Sequence, residues 1–286
     1  MKKSVIRLIG VLAVLSMVIA MFASCGGGKA ITVVGREDGS GTKSAFMEII
    51  GLKGKADVEG IIAHSSTAAV LNEVKNNPNA IAYDSLGYVD DTVKILSVDG
   101  VACTVENIKN GTYKISRPLN IVYKEATLAG EVNKAFYDFL GSSQAQKIIS
   151  DNGYVSTKDG ATEYTVHAGL TGKIGISGST SLQPLMVKLA DKFREIQPDV
   201  TIEVSGGGSG TGYKNAENGT SQFGMISESF KSEKAASCTY YEVAKDGIAV
   251  IVSKKNDISN ITLDTLKNIY NCEAGDNAVT TWDQVK

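Results

Sequence analysis

The sequence predicts an α/β protein with largely parallel sheets. Short apolar runs alternate with segments of helical period along most of the chain. Several strand-to-helix junctions are rich in Gly, Ser and Thr. The 286 residues are 43% hydrophobic and 21% charged, ordinary values for a globular chain with room for two medium lobes.

The chain opens with Lys2, Lys3 and Arg7, followed by an apolar run from Leu8 to Ala23, then Ser24 and Cys25. This is the three-part pattern of a secretory signal over residues 1–24. The run is shorter than the roughly 20 residues a membrane span needs. "FASC" resembles a bacterial lipobox, in which the cysteine, here Cys25, is lipidated and becomes the mature N-terminus. Phe22 departs from the aliphatic residue common there. The alternatives are an uncleaved anchor and a soluble secreted protein. Residues 25–30, which include "GGGK", read as a flexible leader.

Beyond the leader, "ITVVG" (Ile31–Gly35) reads as a strand and "KSAFMEII" (Lys43–Ile50) as a helix. Ala80–Leu86, Leu119–Lys124, Lys173–Ser177, Thr201–Ser205 and Ile248–Ser253 are also strand-like. In "VNKAFYDFL", Val132, Phe136 and Leu140 share a helix face. Leu185, Leu189, Phe193 and Ile196 do the same, with Pro184 in the first turn and Pro198 past the end. Leu263, Leu266, Ile269 and Tyr270 line a last helix, with Thr262 as its N-cap. The polar stretch Ser156–Lys173 holds three glycines and no steady period, and reads as a linker.

Three loops have the composition of anion sites. "GREDGSGT" (Gly35–Thr42) joins a strand to a helix whose first N–H groups lack intrahelical acceptors. Arg36 offers a planar fork for an oxyanion, Gly39 and Gly41 let the backbone approach, and Ser40 and Thr42 add hydroxyls. Asp38 would repel a fully ionised anion but could accept a proton from hydrogen phosphate. The bland reading is a capped turn with Arg36 and Asp38 in a surface ion pair. "GGGSGTG" (Gly206–Gly212), with Ser209, and "GSTSLQP" (Gly178–Pro184), with Thr180 and Ser181, repeat the pattern. Capping explains each loop singly but not the glycine richness of all three. Ser227 and Ser229 in "QFGMISES" are further donors, and "HSSTAAV" (His64–Val70) reads as helix capping.

Other chemistries fit less well. Gly41-Thr42-Lys43-Ser44 misses the Walker A spacing, and no GxGxxG follows the strand. No GxSxG is present, and neither Ser40 nor Ser209 has a neighbouring histidine. His64, His167, Cys103, Cys238 and Cys272 are widely spaced, so no metal or cofactor is expected; free thiols or one disulfide fit the cysteines. A net charge of −2 presents no basic face to nucleic acid.

Three stretches together resemble the phosphate-binding component of bacterial phosphate ABC importers, the PstS family. They are "GSTSLQPLMVKLADKFREIQPDVTIEVSGGGSGTG", "DGIAVIVSKKN" with "ITLDTLKNIY", and "VVGREDGSGTKSAF". In that family the "GSTS" part precedes the "DGSGT" part. Here the order is reversed, as in a circular permutant. The resemblance implies a two-lobed, type II periplasmic-binding-protein fold with ligand in the cleft. One lobe would comprise 30–116 plus 253–286 and the other 117–252, containing the linker 156–173. It implies phosphate contacts from Arg36, Asp38, Ser40, Gly41, Thr42, Thr180, Ser181, Ser209 and Ser227. Ser227 stands where some members have Asp, Glu228 where many have Arg, and Gln222 where Asp is common, which touches the fourth loop's role. The implied protein is a non-enzymatic monomer on the outer face of the bacterial cytoplasmic membrane, anchored through Cys25. Its implied partners are inorganic phosphate and permease subunits. A phosphate sensor, a binder of sulfate or molybdate, and a phosphoester hydrolase are the alternatives.

Overall fold

Each strand and helix expected above forms, and their boundaries move for local reasons. The computed structural model describes residues 28–285; the signal pattern and Cys25 lie outside the described residues. Strand β1 is Thr32–Arg36 and helix α1 is Gly41–Ile49. α1 starts at Gly41 rather than Lys43 because Ser40 caps it, its Oγ accepting from the Lys43 N–H at 3.3 Å. Strands β2 (Ile62–His64), β3 (Ala80–Ser85) and β4 (Val93–Val98) follow, with α2 (Thr67–Asn76) and α3 (Val105–Lys109) among them. Then come β5 (Ser116–Tyr123), α4 (Glu131–Leu140), α5 (Ser143–Asp151), β6 (Gly172–Gly178), α6 (Gln183–Ile196) and β7 (Val200–Ser205). Helix α7 (Ser209–Asn218), β8 (Phe223–Ile226), β9 (Thr239–Ser253), β10 (Asn260–Ile261) and α8 (Leu263–Tyr270) complete the chain.

β9 reaches nine residues further back than the apolar run Ile248–Ser253, because its first four residues alternate half-buried and exposed side chains before the buried run begins. That length lets one strand serve two groups of elements. Its C-terminal part lies between β3 and β4, antiparallel to both. Its N-terminal part pairs antiparallel with β5, across a register shift between Leu119 and Asn120. β1 is parallel to both β3 and β2. On the far side β8 is antiparallel to β5, and β6 is parallel to both β8 and β7. The sheet is therefore mixed, where the sequence predicted mostly parallel pairing. The antiparallel pairs all involve β5 or β9, the strands that connect the two groups.

Buried apolar side chains gather into two large cores. The first draws on residues 34–115 and 248–285, together with Val155. Within it Phe46 stacks on Tyr83 with ring centroids 4.0 Å apart. The second draws on residues 119–244. Here α6 buries Leu185, Met186, Leu189, Ala190 and Phe193, the face that its period predicts. The leucines, Met186 and Phe193 each contribute about 1.5–3 kcal/mol relative to exposure.

The linker 156–173 is irregular until β6 begins, yet it is pinned to the second core. Gln146 Oε1 accepts from the N–H groups of Thr157 and Lys158 at 3.0 and 3.2 Å. Tyr164 is buried and packs edge-on against Phe139 and Phe193. The two ends of the described chain also meet. Ile31 N donates to Thr280 O at 2.8 Å, and Trp282 N to Lys29 O at 2.9 Å.

Cys103 is buried, Cys238 half-buried and Cys272 exposed, and all three are free thiols. Among the described residues no helix is long and apolar enough to cross a membrane.

Candidate anion site

Four strand-to-helix junctions meet where the two cores face each other. They lead from β1 into α1, from β2 into α2, from β6 into α6 and from β7 into α7. The first N–H groups of each helix have no intrahelical acceptor and carry partial positive charge. Side chains supply the remaining polar groups.

Arg36 is at the centre and only 3% exposed. Its Nε donates to His64 O at 3.1 Å and Nη1 to Thr67 Oγ1 at 3.2 Å. Its Nη2 donates to Ser65 O at 2.9 Å and to Thr180 Oγ1 at 3.1 Å. Thr67 Oγ1 lies 3.0 Å from Thr180 Oγ1 and 3.2 Å from Ser181 Oγ, and Thr42 Oγ1 lies 2.9 Å from Ser181 Oγ. Arg36, Thr42 and Thr67 belong to elements of the first core, Thr180 and Ser181 to the turn before α6 on the second. A buried guanidinium here is surrounded by neutral oxygens from both sides.

A second group sits beside the first. Ser209 Oγ accepts from Ser227 N at 3.0 Å and lies 3.3 Å from Ser227 Oγ. Gly41 packs directly against this pair; a methyl group there would run into both hydroxyls. The backbones also touch across the cleft, with Gly210 N donating to Gly39 O at 2.9 Å. Gly39 and Gly208 both have φ of 85°, a conformation that suits glycine. The "GSGT" tetrapeptides of the two loops therefore face each other.

Beneath the hydroxyls lies a buried charge cluster. Arg117 donates from Nη2 to Asp246 Oδ2 at 3.0 Å and from Nη1 to Ser227 O at 3.1 Å. Ser85 Oγ donates to the same Asp246 oxygen at 2.8 Å. Burial pushes the Asp84 carboxyl up to about 8, against the pull of Arg36 and Arg117. Burial raises the Asp246 carboxyl as well, against the pull of Arg117. An acid that favours its neutral form offsets less of the positive charge of Arg36 and Arg117, which favours a bound anion.

The structure thus brings together Arg36, Ser40, Gly41, Thr42, Thr180, Ser181, Ser209 and Ser227. Asp38 is the exception. Its side chain is 97% exposed and pairs with Lys43 at 2.7 Å, and Lys43 also meets Asp57 at 2.6 Å. Lys43 lies in the first turn of α1 and draws the carboxylate outward, away from the hydroxyls. The surface ion pair imagined for Asp38 exists, but its partner is Lys43, not Arg36.

Thr67 is the residue sequence reasoning missed. The stretch 64–70 reads as capping, and Ser66 does cap α2, its Oγ accepting from Ala69 N at 3.2 Å. A cap needs one hydroxyl, and the run Ser65-Ser66-Thr67 has three. The surplus hydroxyl, fully buried, is the one that contacts Arg36. Gln222 serves the sheet: its Oε1 accepts from Gly175 N at 2.7 Å.

Comparison with known proteins gives a consistent result. A family model described as a PBP superfamily domain matches residues 20–144 and 163–286. The chain is 36% identical over 263 residues to the phosphate-binding protein PstS 2 of Streptococcus pneumoniae, covering 90% of this chain and 88% of that one. It is 37% identical over 249 residues to the protein of the same name in Streptococcus agalactiae, covering 84% of each chain. Against the phosphate-binding protein PstS of Bacillus subtilis, 37% identity extends over only 134 residues, 45% of this chain and 42% of that one. A crystal structure of a phosphate-binding protein of a phosphate ABC transporter from S. pneumoniae superposes with a TM-score of 0.71. It covers 90% of this chain and 100% of its own, at 36% identity.

Proposed function

Since the chain belongs to the PBP superfamily and, within it, to the phosphate-binding proteins named PstS, with their two-lobed type II fold, we propose that it captures inorganic phosphate outside the cell and delivers it to an ABC importer. The observation that carries this reading is Arg36. It is a buried guanidinium whose hydrogen-bond acceptors are hydroxyls and carbonyls, so its charge remains available to an anion. Ser40, Gly41, Thr42, Thr180, Ser181, Ser209 and Ser227, with Thr67, complete the proposed site. A hydroxyl can both donate and accept. In this reading a hydroxyl takes the ligand's proton, and Asp38 organises the loop through Lys43.

The two cores correspond to two proposed lobes, residues 30–116 plus 248–286 and residues 117–247; Ile248–Val252, grouped with the second lobe on sequence, pack instead in the first core. Closure about β5 and β9 brings their hydroxyls onto one ligand. The long shared alignment with the streptococcal relatives supports a common segment order, and the half-length match to the Bacillus relative supports its permutation. We assign the protein a binding role rather than turnover, acting as a monomer held at the outer face of the membrane by lipid on Cys25. Mass spectrometry of the mature N-terminus tests the anchor.

Calorimetry with phosphate and with sulfate tests the ligand. The expected result is one phosphate per chain, bound far more tightly than sulfate. Tight sulfate binding, or no response to phosphate, overturns the assignment.

A further inference from the structure

A second link joins the two cores beside the proposed anion site, and it does not touch the site itself. Glu228 follows Ser227 in the chain and is only 2% exposed. Its Oε2 accepts from Ser44 Oγ at 2.6 Å and faces Lys231 Nζ at 2.7 Å. Its Oε1 faces Lys234 Nζ at 2.8 Å. Lys231 Nζ also reaches Ser44 Oγ at 2.7 Å and lies 3.8 Å from Glu48. The Glu228 backbone is held too, its carbonyl accepting from Asn120 Nδ2 on β5 at 2.9 Å.

Ser44 and Glu228 stand on opposite sides. Ser44 is on α1, which buries Ala45, Phe46 and Met47 in the first core. Glu228 follows β8, which buries Phe223 and Met225 in the second. Each is also close in sequence to a residue of the anion cluster, Thr42 in one case and Ser227 in the other. A buried carboxylate is costly unless it is paired. Lys231 and Lys234 come from Glu228's own side and stay with it if the cores part. The bonds to Ser44 are different, because they exist only while the cores are together. Contacts confined to one conformation shift the equilibrium toward it.

We propose that Glu228, through Ser44, latches the cleft shut and sets how long a bound anion is retained. It acts as a positioning residue and makes no contact with the ligand. This inference rests on the phosphate reading for its ligand. Entry and exit both occur through the open form, so weakening the latch speeds release and does not slow association. Burial works to raise the Glu228 carboxyl, but hydrogen bonds from Lys231, Lys234 and Ser44 hold it below the ordinary glutamate value, so it stays ionised at neutral pH.

Stopped-flow phosphate binding on the mature protein tests the latch. Ser44→Ala removes the link without changing charge. Its release rate should rise several-fold, with association no slower than in the parent. Glu228→Gln should release phosphate faster as well. It also leaves Lys231 and Lys234 without their counter-charge, so its association should quicken in a salt-dependent way. The double variant should release no faster than the faster single variant, because both substitutions remove one shared contact. A Ser44→Ala release rate within twofold of the parent, or multiplicative effects in the double variant, overturns the latch. Small-angle scattering of the unliganded parent and Ser44→Ala forms reads the link without phosphate. The variant should be the more extended, and identical profiles overturn the latch. A parent protein that ignores phosphate overturns the ligand assignment while leaving that scattering comparison intact.

Discussion

Arg36 and Arg117 are both almost fully buried, yet they are used in opposite ways. Arg117 directs two of its nitrogens at one carboxylate, Asp246. Arg36 contacts two threonine hydroxyls and two backbone carbonyls, and among the described residues it forms no ion pair. Charge neutralised by a carboxylate holds structure together. Charge held only by neutral oxygens is kept for something else. The same pairing logic separates the proposed hinge from the proposed binding site within one protein.

Substituting each arginine separates the two roles. Arg117→Met strands Asp246 in the interior and should lower stability by about 3–5 kcal/mol, measured by denaturant unfolding. Arg36→Met strands only neutral groups, so its stability cost should stay below about 2 kcal/mol. Its phosphate affinity should fall about 100-fold or more, because charge-assisted hydrogen bonds are lost. If Arg36→Met is the more destabilised of the two, the contrast is wrong.

Asp84 sharpens the comparison through pH. Its carboxyl lies at about 8 in the fold, against an ordinary value near 3.8. Between those values the folded protein binds a proton that the unfolded chain does not. The Asp84 contribution to stability therefore declines as pH rises from about 4 to about 8. Asp84→Asn, which stays neutral, should flatten that decline, and it should blunt any weakening of phosphate binding on the alkaline side. Parallel pH profiles of parent and variant would remove Asp84 from the account.

Smaller effects come from a single neutral contact to Arg36 and from an ion pair at the surface. Thr67→Val removes one hydroxyl from Arg36 and should weaken phosphate binding several-fold, about 1 kcal/mol. Asp38→Asn breaks an exposed pair with Lys43 and should change affinity, and the preference over sulfate, by less than about twofold. A relaxed preference in Asp38→Asn would return that carboxylate to the ligand.

Much of this was legible in the sequence, and the exceptions share a cause. The loops at Arg36, Thr180 and Ser209 declare themselves because glycine and hydroxyls cluster where a strand meets a helix. The Arg117–Asp246 pair spans 129 residues and carries no local pattern. Thr67 was hidden behind a neighbour that really is a cap. For Asp38 the sequence shows the residue and not the direction of its side chain, which Lys43 turns outward. The second half of a long strand was read from its apolar run, and the exposed first half had no such signal.

The paired segments, Ile31 with Thr280 and Trp282 with Lys29, bring the described residues 28–285 close to a ring. Closing that ring by head-to-tail ligation through a short bridge would ask little of the native structure, since the ends already run side by side. The gain would come from the unfolded chain, which would lose the freedom of its two ends. A cyclised form should therefore melt at a higher temperature and bind phosphate with the affinity of the linear chain.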